Sequence, residues 1–545
     1  MRLRLGAWLW PIAGGLAQAA SIAAPWNGRP LWWLQLLSLA ALVWQLDALR
    51  ASSGKWRGGA VSGWLFATAW LCGTFWWLFI SMHTYGGIPA PLAAMGVFAL
   101  SAAVALYYAL ACGLYVAFAP ANSLGAAAFF AALWTLAELA RGSWFTGFPW
   151  GAGGYAHVEG PLAAYAPWAG VYGIVAVAAA SAAILATMIA AFVRAAIRRV
   201  CGHSFAMFAT FATHAGLALG LLVLLFVPAL LGAMRGTAVD EAARSHGRLR
   251  VALLQGNIPQ NEKFIPNGGI AIALRWYGEQ LQEATAPLVV TPETALPLLP
   301  AQLPPGYLEA IAARYAQGDQ AAIVGLPLSD GRGYSNAVIG FRPGEPAPYR
   351  YDKHHLVPFG EFVPRMFRWF TDMMRIPLGD FDRGALAQAP FVWQGQRIAP
   401  NICYEDLFGD EIGAGFRREA EAPTILLNVS NIAWFGDSVA IDQHLAISRM
   451  RALEFQRPMV RATNTGATAV IDHRGRVTHQ LPRLTRGVLL AEVEGRNGIT
   501  PYARWVSRFG LAPLWIAALV VVMAVAAAVM RRRRDFAHRQ DRQDS

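Results

Sequence analysis

The feature that most constrains this chain is a series of apolar runs near residues 7–26, 31–48, 60–82, 89–118, 124–140, 162–193, 205–234 and 509–530. Each is long enough to cross about 30 Å of hydrocarbon as a helix. A backbone in lipid must satisfy its own polar groups, so the spacing predicts eight membrane helices. Fewer than a fifth of the Asp, Glu, Lys and Arg residues lie in the first 235 positions, which sets a membrane half against a charged, soluble half. At 56% hydrophobic and 14% charged over 545 residues, the chain is excluded from the disordered, collagen-like and all-soluble classes.

The net charge of +12 would suit nucleic acid in a soluble protein. Here the basic residues flank apolar runs, where they set topology and meet anionic headgroups, so no nucleic-acid partner is expected. Arg50, Lys55 and Arg57 follow the second run and Arg194, Arg198 and Arg199 the sixth, whereas 82–91 carries no charge. This alternation predicts a cytoplasmic amino terminus. The expected organisation is seven helices in 1–235, an outward-facing domain in 236–505, an eighth helix in 506–530 and a basic cytoplasmic tail in 531–545. The first twenty residues also have the character of a signal peptide, with Ala17-Gln18-Ala19 at the cleavage position. Removing them leaves the domain outside all the same, and an uncleaved helix is the reading adopted.

Glu138 and Arg141 end the fifth run, before a loop at 144–155 rich in glycine and aromatics. Ionisable groups at that depth either pair with each other or meet a headgroup or substrate; pairing is the expectation. Of four cysteines, Cys72, Cys112 and Cys201 lie in or beside membrane runs and read as small packing residues. Only Cys403 belongs to the soluble half.

From about residue 245 the periodicity changes. Strand-like runs at 249–255, 287–291, 321–325, 336–341, 396–403, 424–429, 467–471 and 488–493 alternate with helical spacing at 271–284, 305–317 and 436–457, which predicts one layered α/β domain. Cys403 closes the strand-like Arg397-Ile398-Ala399-Pro400-Asn401-Ile402 and precedes Tyr404-Glu405-Asp406, a segment able to open a helix. Such an elbow exposes its first side chain and aims backbone N–H groups at it, which suits a nucleophile. A free thiol, with a pKa of about 8.5, needs a base and a cation to work at neutral pH. Two sets offer them: Glu293 with Lys353, or a histidine among His354, His355 and His444. The residues alone leave both open.

The ordered set of a strand ending in Pro292-Glu293, Lys353 before Val357-Pro358-Phe359-Gly360-Glu361, and Cys403-Tyr404-Glu405 resembles the nitrilase, or carbon-nitrogen hydrolase, superfamily. With membrane helices on both sides, and with Gln255-Gly256-Asn257-Ile258-Pro259-Gln260, Asn431-Ile432-Ala433-Trp434-Phe435-Gly436 and Gly147-Phe148-Pro149-Trp150, it resembles the apolipoprotein N-acyltransferase family within that superfamily. The resemblance implies an α-β-β-α sandwich beside a multi-pass helical membrane domain. It also implies a catalytic triad of Cys403 as nucleophile, Glu293 as base and Lys353 as oxyanion-stabilising cation, supported by Glu361, Tyr404 and Glu405. Two departures stand out. Phe264 occupies a position where relatives often carry Trp, and Ile432 stands where an Asp is usual.

The implied reaction moves the sn-1 acyl chain of a phospholipid, of the phosphatidylethanolamine type, onto Cys403 as a thioester. It then passes to the α-amine of a diacylglyceryl-cysteine in an apolipoprotein, at the outer side of a bacterial inner membrane. An acyl tail of about sixteen carbons costs on the order of 12 kcal/mol to expose to water, so the site must open toward lipid. Phe264, Trp150, Trp434-Phe435 and the apolar segment at 366–374 are the candidate contacts. No metal-ligand spacing or phosphate loop is present in the sequence, and neither a metal nor a cofactor is expected. A monomer is expected. The rival readings are a membrane-anchored amidase, and a transporter or receptor with a non-catalytic outer domain.

Overall fold

The computed structural model describes residues 2–52, 55–200, 216–226, 230, 244–331, 333–345, 347–363 and 381–543. The chain forms two compact units: Met1–Phe79, Ile88–Gly236 and Leu511–Ser545 in one, and Ile80–Gly87 and Thr237–Gly510 in the other.

Helices Arg2–Ile22, Trp32–Ser52, Trp56–Phe75, Ala90–Val104, Leu106–Phe118, Ser123–Ser143, Ala166–Val200 and Ala512–Gln543 build the first unit. Among the described residues five helices are long and apolar enough to cross a membrane, or six if a pair bent by 60° counts as one span. Of the eight expected runs, the second, fourth, fifth, sixth and eighth are among those five. The first is helical but lies outside that set, and most of the seventh lies outside the described residues. The third is the bent pair, Trp56–Phe75 and Leu78–Tyr85. Helix Pro501–Phe509 closes the second unit, and Gly510, at φ 53°, separates it from Ala512–Gln543.

Small residues let these helices touch. A Cβ on Gly63 would lie 2.7 Å from Cys112 Cβ and one on Gly15 2.1 Å from the Phe66 carbonyl oxygen. Cys112 is accordingly a buried packing residue and Cys72 a half-buried free thiol, as expected; Cys201 lies outside the described residues. Glu138 and Arg141 pair at 2.6 Å, both fully buried. Arg141 also donates to the carbonyls of Phe148 at 2.8 Å and Trp150 at 2.7 Å and to the Tyr108 hydroxyl at 2.9 Å. The pair thus satisfies itself and fastens the 144–155 loop. Trp150 is buried against Trp77, with ring centroids 4.8 Å apart, which makes it a packing residue here rather than a surface open to substrate.

The second unit is a sandwich of two six-stranded sheets. One comprises β1 (Ser245–Gln255), β2 (Leu288–Val290), β3 (Ala321–Ser329), β4 (Tyr334–Phe341), β5 (Tyr349–Asp352) and β12 (Gly487–Arg496), in the order β12-β1-β2-β3-β4-β5. The other comprises β6 (Phe391–Trp393), β7 (Gln396–Ile402), β8 (Ile425–Ser430), β9 (Met459–Thr463), β10 (Ala469–Ile471) and β11 (Val477–Gln480), in the order β11-β10-β9-β8-β7-β6. Their facing side chains, among them Leu253, Val290 and Ile323 from one and Ile402, Leu427 and Val460 from the other, make the central core. The outer face of the first sheet packs on helices Ala271–Glu283 and Tyr307–Tyr315, and that of the second on Ala440–Phe455 and Pro501–Phe509. Both faces of each sheet are covered, which is why a strand such as Ile425–Ser430 is buried along its whole length. Strands β5, β6, β9 and β11 were not expected from the sequence pattern.

Strands β1, β2 and β3 are parallel, and two antiparallel steps bring β5 back to the direction of β2. Strands β7, β8 and β9 are likewise parallel. The carboxyl ends of β2, β5, β7 and β8 therefore carry Glu293, Lys353, Cys403 and Asn431, the usual place for a site in such sheets.

Candidate active site

Lys353 sits one residue past β5 with its ammonium buried between two carboxylates, 3.4 Å from Glu293 Oε1 and 2.9 Å from Glu361 Oε1. Asn336 on β4 donates from Nδ2 to the same two oxygens, at 2.7 and 2.8 Å. The second oxygen of Glu293 accepts the Asn431 N–H at 2.8 Å, and that of Glu361 the Val357 N–H at 2.8 Å. Burial alone would raise Glu293, but Lys353, the Asn336 amide, Lys263 and the Asn431 N–H outweigh it and hold the carboxyl below its usual range. Burial likewise opposes the charge on Lys353, yet Glu361 and Glu293 push its pKa above the ordinary lysine value.

Cys403 opens the 3-10 helix Cys403–Leu407 with φ at 56°, so the expected elbow is present and its helix is of the tighter kind. Its carbonyl oxygen accepts from Asn428 Nδ2 and from His444 Nε2, each at 3.2 Å, which pins this left-handed residue in place. Burial first, and then the Glu293 carboxylate, raise the thiol well above its ordinary pKa, with Lys353 pulling the other way. Cys403 also packs beside the cluster of Ile432, Ile441 and Ala467, joined by Phe435. Ile432 thus supplies apolar wall where a carboxylate is usual.

The alternative histidines have partners of their own. His354 Nδ1 meets the Gly384 carbonyl oxygen at 2.8 Å, and His355 Nδ1 meets Glu411 Oε1 at 2.8 Å while its ring stacks on Phe408. His444 lies behind Cys403, with Nε2 shared between the Cys403 carbonyl and Asp406 Oδ1 and Nδ1 accepting from Arg461.

Glu405 is buried and bridges the two sheets' site segments. It accepts from His354 N at 2.6 Å, His355 N at 3.1 Å, Ile402 N at 2.5 Å and the Tyr351 hydroxyl at 2.9 Å. Burial lifts its carboxyl to about 7 against the pull of those donors and of Lys353. Tyr404 is buried and packs edge-on to Phe408. Phe264, 54% exposed, and Trp434, 39% exposed and edge-on to Tyr85 at 5.9 Å, present open apolar surface. The 366–374 segment lies outside the described residues.

Sequence reasoning missed Asn336, whose only local signal is an amide inside an apolar strand. It also missed Lys263, which follows the Asn257-Ile258-Pro259-Gln260 motif. That motif is held by a lattice of amides: Asn464 exchanges hydrogen bonds with the backbone of Ile258 at 2.9 and 2.8 Å and donates to Asn431 Oδ1 at 3.0 Å, while Asn431 Nδ2 donates to Gln260 Oε1 at 2.9 Å. Among the described residues no cluster of His, Cys, Asp and Glu has metal-binding geometry.

A sandwich of two sheets with a cysteine elbow beside a buried Glu–Lys pair defines a carbon-nitrogen hydrolase fold, and residues 250–501 match the family described as "Carbon-nitrogen hydrolase". Residues 15–184 match "Apolipoprotein N-acyltransferase N-terminal domain". Over nearly its whole length the chain is similar to the apolipoprotein N-acyltransferases of Verminephrobacter eiseniae (57% identical, covering 92% of this chain and 93% of the relative) and Ralstonia nicotianae (45%, covering 98% and 95%). That of Bordetella bronchiseptica is 41% identical, covering 97% and 98%. The chain belongs to the apolipoprotein N-acyltransferase family, as a multi-pass membrane protein with a nitrilase-like domain.

Proposed function

We propose that this protein acylates the amino terminus of apolipoproteins with a chain taken from a membrane phospholipid, through a thioester on Cys403. The observation that carries the reading is the buried Glu293–Lys353–Glu361 cluster at the strand ends, whose charges act on the Cys403 thiol. Because the thiol is raised and Glu293 is held ionised, the resting pair is neutral thiol and carboxylate. The proton therefore leaves sulfur as the sulfur attacks, rather than beforehand.

In the first half-reaction Cys403 Sγ bonds to the sn-1 ester carbonyl carbon of a phosphatidylethanolamine-type donor and its proton passes to Glu293. The carbonyl electron pair moves onto oxygen, facing the Lys353 ammonium. Collapse breaks the ester C–O bond, and the lysophospholipid oxygen leaves with the proton from Glu293. In the second, the α-amine of the acceptor's diacylglyceryl-cysteine attacks the thioester and loses a proton to Glu293. The C–S bond breaks, and the sulfur takes that proton back. Glu361 orients Lys353, Glu405 fixes the two site segments, and Phe264, Trp434 and Phe435 offer apolar surface to the acyl tails. The catalytic unit faces the periplasm from a bacterial inner membrane; the basic loops around Arg50–Arg57 and Arg194–Arg199 support that orientation.

Intact-mass spectrometry of purified protein mixed with phospholipid tests this. The wild type gains one acyl chain, released by hydroxylamine and discharged by a diacylated lipopeptide, whereas Cys403→Ala gains none. Acylation of the alanine variant at the wild-type rate, or an adduct mapped to another residue, overturns the reading.

A further inference from the structure

Lys263 is a buried lysine, 3% exposed, that the reaction as written does not use. Its ammonium has three N–H donors, yet among the described residues its one hydrogen bond is a long 3.4 Å contact to the backbone carbonyl oxygen of Glu293. Among the described residues no carboxylate pairs with it. Its one other contact of note is the Phe264 ring, 6.0 Å from Nζ. Burying an ammonium with so little compensation is costly, so such a group is retained where something else needs its charge.

Its placement is also deliberate in structural terms. The turn that carries it is clamped through Ile258 to Asn464 and through Gln260 to Asn431, and Asn431 in turn holds Glu293 Oε2. One amide lattice therefore fixes Lys263, the base and the loop after β8 together.

Charge balance says what the second ammonium is for. Lys353 is flanked by Glu293 and Glu361, so these three groups alone leave the centre one negative charge in excess before Cys403 has gained any. Adding Lys263 brings it to zero. When the thiol proton moves to Glu293 and negative charge develops at sulfur or at the tetrahedral oxygen, the total stays at zero only with Lys263 present. Asp406, on the other side of Cys403, is already balanced by Arg461. Glu293 and Cys403 are the charges that act on Lys263, and they partly resist the burial that lowers it to about 8.

The geometry points to Lys263 as a second cation of the acyl-transfer centre, one that stabilises the anionic states of Cys403 rather than a carboxylate of its own. This rests on Cys403 being the acylated residue, and the test is chosen to read on Lys263 independently. The rate of Cys403 alkylation by iodoacetamide is followed against pH in detergent, with Cys403→Ala as the blank for other cysteines. Lys263→Gln keeps a hydrogen bond to the Glu293 carbonyl without charge, Lys263→Met keeps neither, and Lys263→Arg keeps the charge. Loss of the charge is expected to slow alkylation at pH 7, where Lys263 is protonated, about tenfold in both neutral variants, with recovery in the arginine variant and with the gap between wild type and the glutamine variant closing as pH rises through about 8. The same variants should form acyl-enzyme about tenfold more slowly. A wild-type alkylation rate at pH 7 in Lys263→Gln, or an arginine variant no better than methionine, overturns the inference. Absence of acyl-enzyme in the wild type would instead sink the acyl-transfer reading while leaving the alkylation profiles interpretable.

Discussion

Asn336→Leu isolates what the amide between the two carboxylates contributes. Leucine matches the shape of asparagine, and the backbone bond from Lys353 N to the Asn336 carbonyl oxygen survives the change. Asn336 Oδ1 is buried with no hydrogen-bond partner among the described residues, so no described bond is lost on that side. What disappears is the pair of donations from Nδ2 to Glu293 at 2.7 Å and Glu361 at 2.8 Å. Hydrogen bonds to charged groups contribute about 1.5–3 kcal/mol each, so the two together set an upper range of about 3–6 kcal/mol. Lys353 remains between the carboxylates and recovers part of this, which leaves about 2–3 kcal/mol. If that falls on the geometry of the base, acyl-enzyme formation slows about 30- to 150-fold.

A second readout follows from linkage. Glu293 is held below its ordinary pKa, so the stability it confers is fully present above the unfolded-state value of about 4.3 and is lost as pH falls through the folded value. Removing Asn336 raises the folded value and shrinks that contribution. The gap in thermal midpoint between wild type and variant should therefore be full at pH 7 and narrow as pH drops below about 4. Single-turnover acylation by intact mass and thermal unfolding in detergent at both pH values measure the two effects. A variant that acylates at the wild-type rate, or a midpoint gap as wide at pH 3 as at pH 7, refutes the reasoning.

Two further outcomes are expected. A Cβ at Gly325 on β3 would lie 2.2 Å from the Pro292 carbonyl oxygen, so Gly325→Ala must displace the turn that carries Glu293. Acylation should fall about 100-fold with the sandwich still folded, and a wild-type single-turnover rate would show that the turn has slack. Arg141→Met leaves Glu138 buried and uncompensated at a cost of about 3–5 kcal/mol, and adding Glu138→Gln should return much of it. Thermal unfolding of both proteins checks this, and a double variant no more stable than the single one removes the ion pair as the cause.

Elements whose residues face apolar layers on both sides were legible in the sequence: β3, β8 and the second half of β1 are dominated by Ala, Val, Ile and Leu, and β7 puts Ile398 and Ile402 into the central core. The strands that were not legible fail for physical reasons. Strands β5 and β11 lie at sheet edges and read Tyr-Arg-Tyr-Asp and Val-Thr-His-Gln, polar enough to pass for loops. Strand β9 hides behind Arg461, a fully buried charge inside a strand, which makes sense only once Asp406 from a distant segment meets it at 3.2 Å. The site divides in the same way. Local pattern exposed Cys403 as a candidate but left carboxylate and histidine as rival partners, and the family resemblance supplied the choice. Asn336 and Lys263 were invisible because each matters only through a contact across 43 or 30 residues of chain.

The same long-range logic explains why Glu405 belongs to the site without facing the chemistry. Lys353 and Cys403 come from different sheets, and no hydrogen-bond ladder sets one relative to the other. Glu405 closes that gap: one carboxylate oxygen takes the backbone N–H groups of His354 and His355 just after Lys353, and the other takes the N–H of Ile402 just before Cys403. An amide in its place presents an N–H to at least one of those donors. Glu405→Gln should therefore let the two strand ends separate and slow single-turnover acylation with Glu293, Lys353 and Cys403 unaltered, and a wild-type rate would show that the span does not depend on this carboxylate.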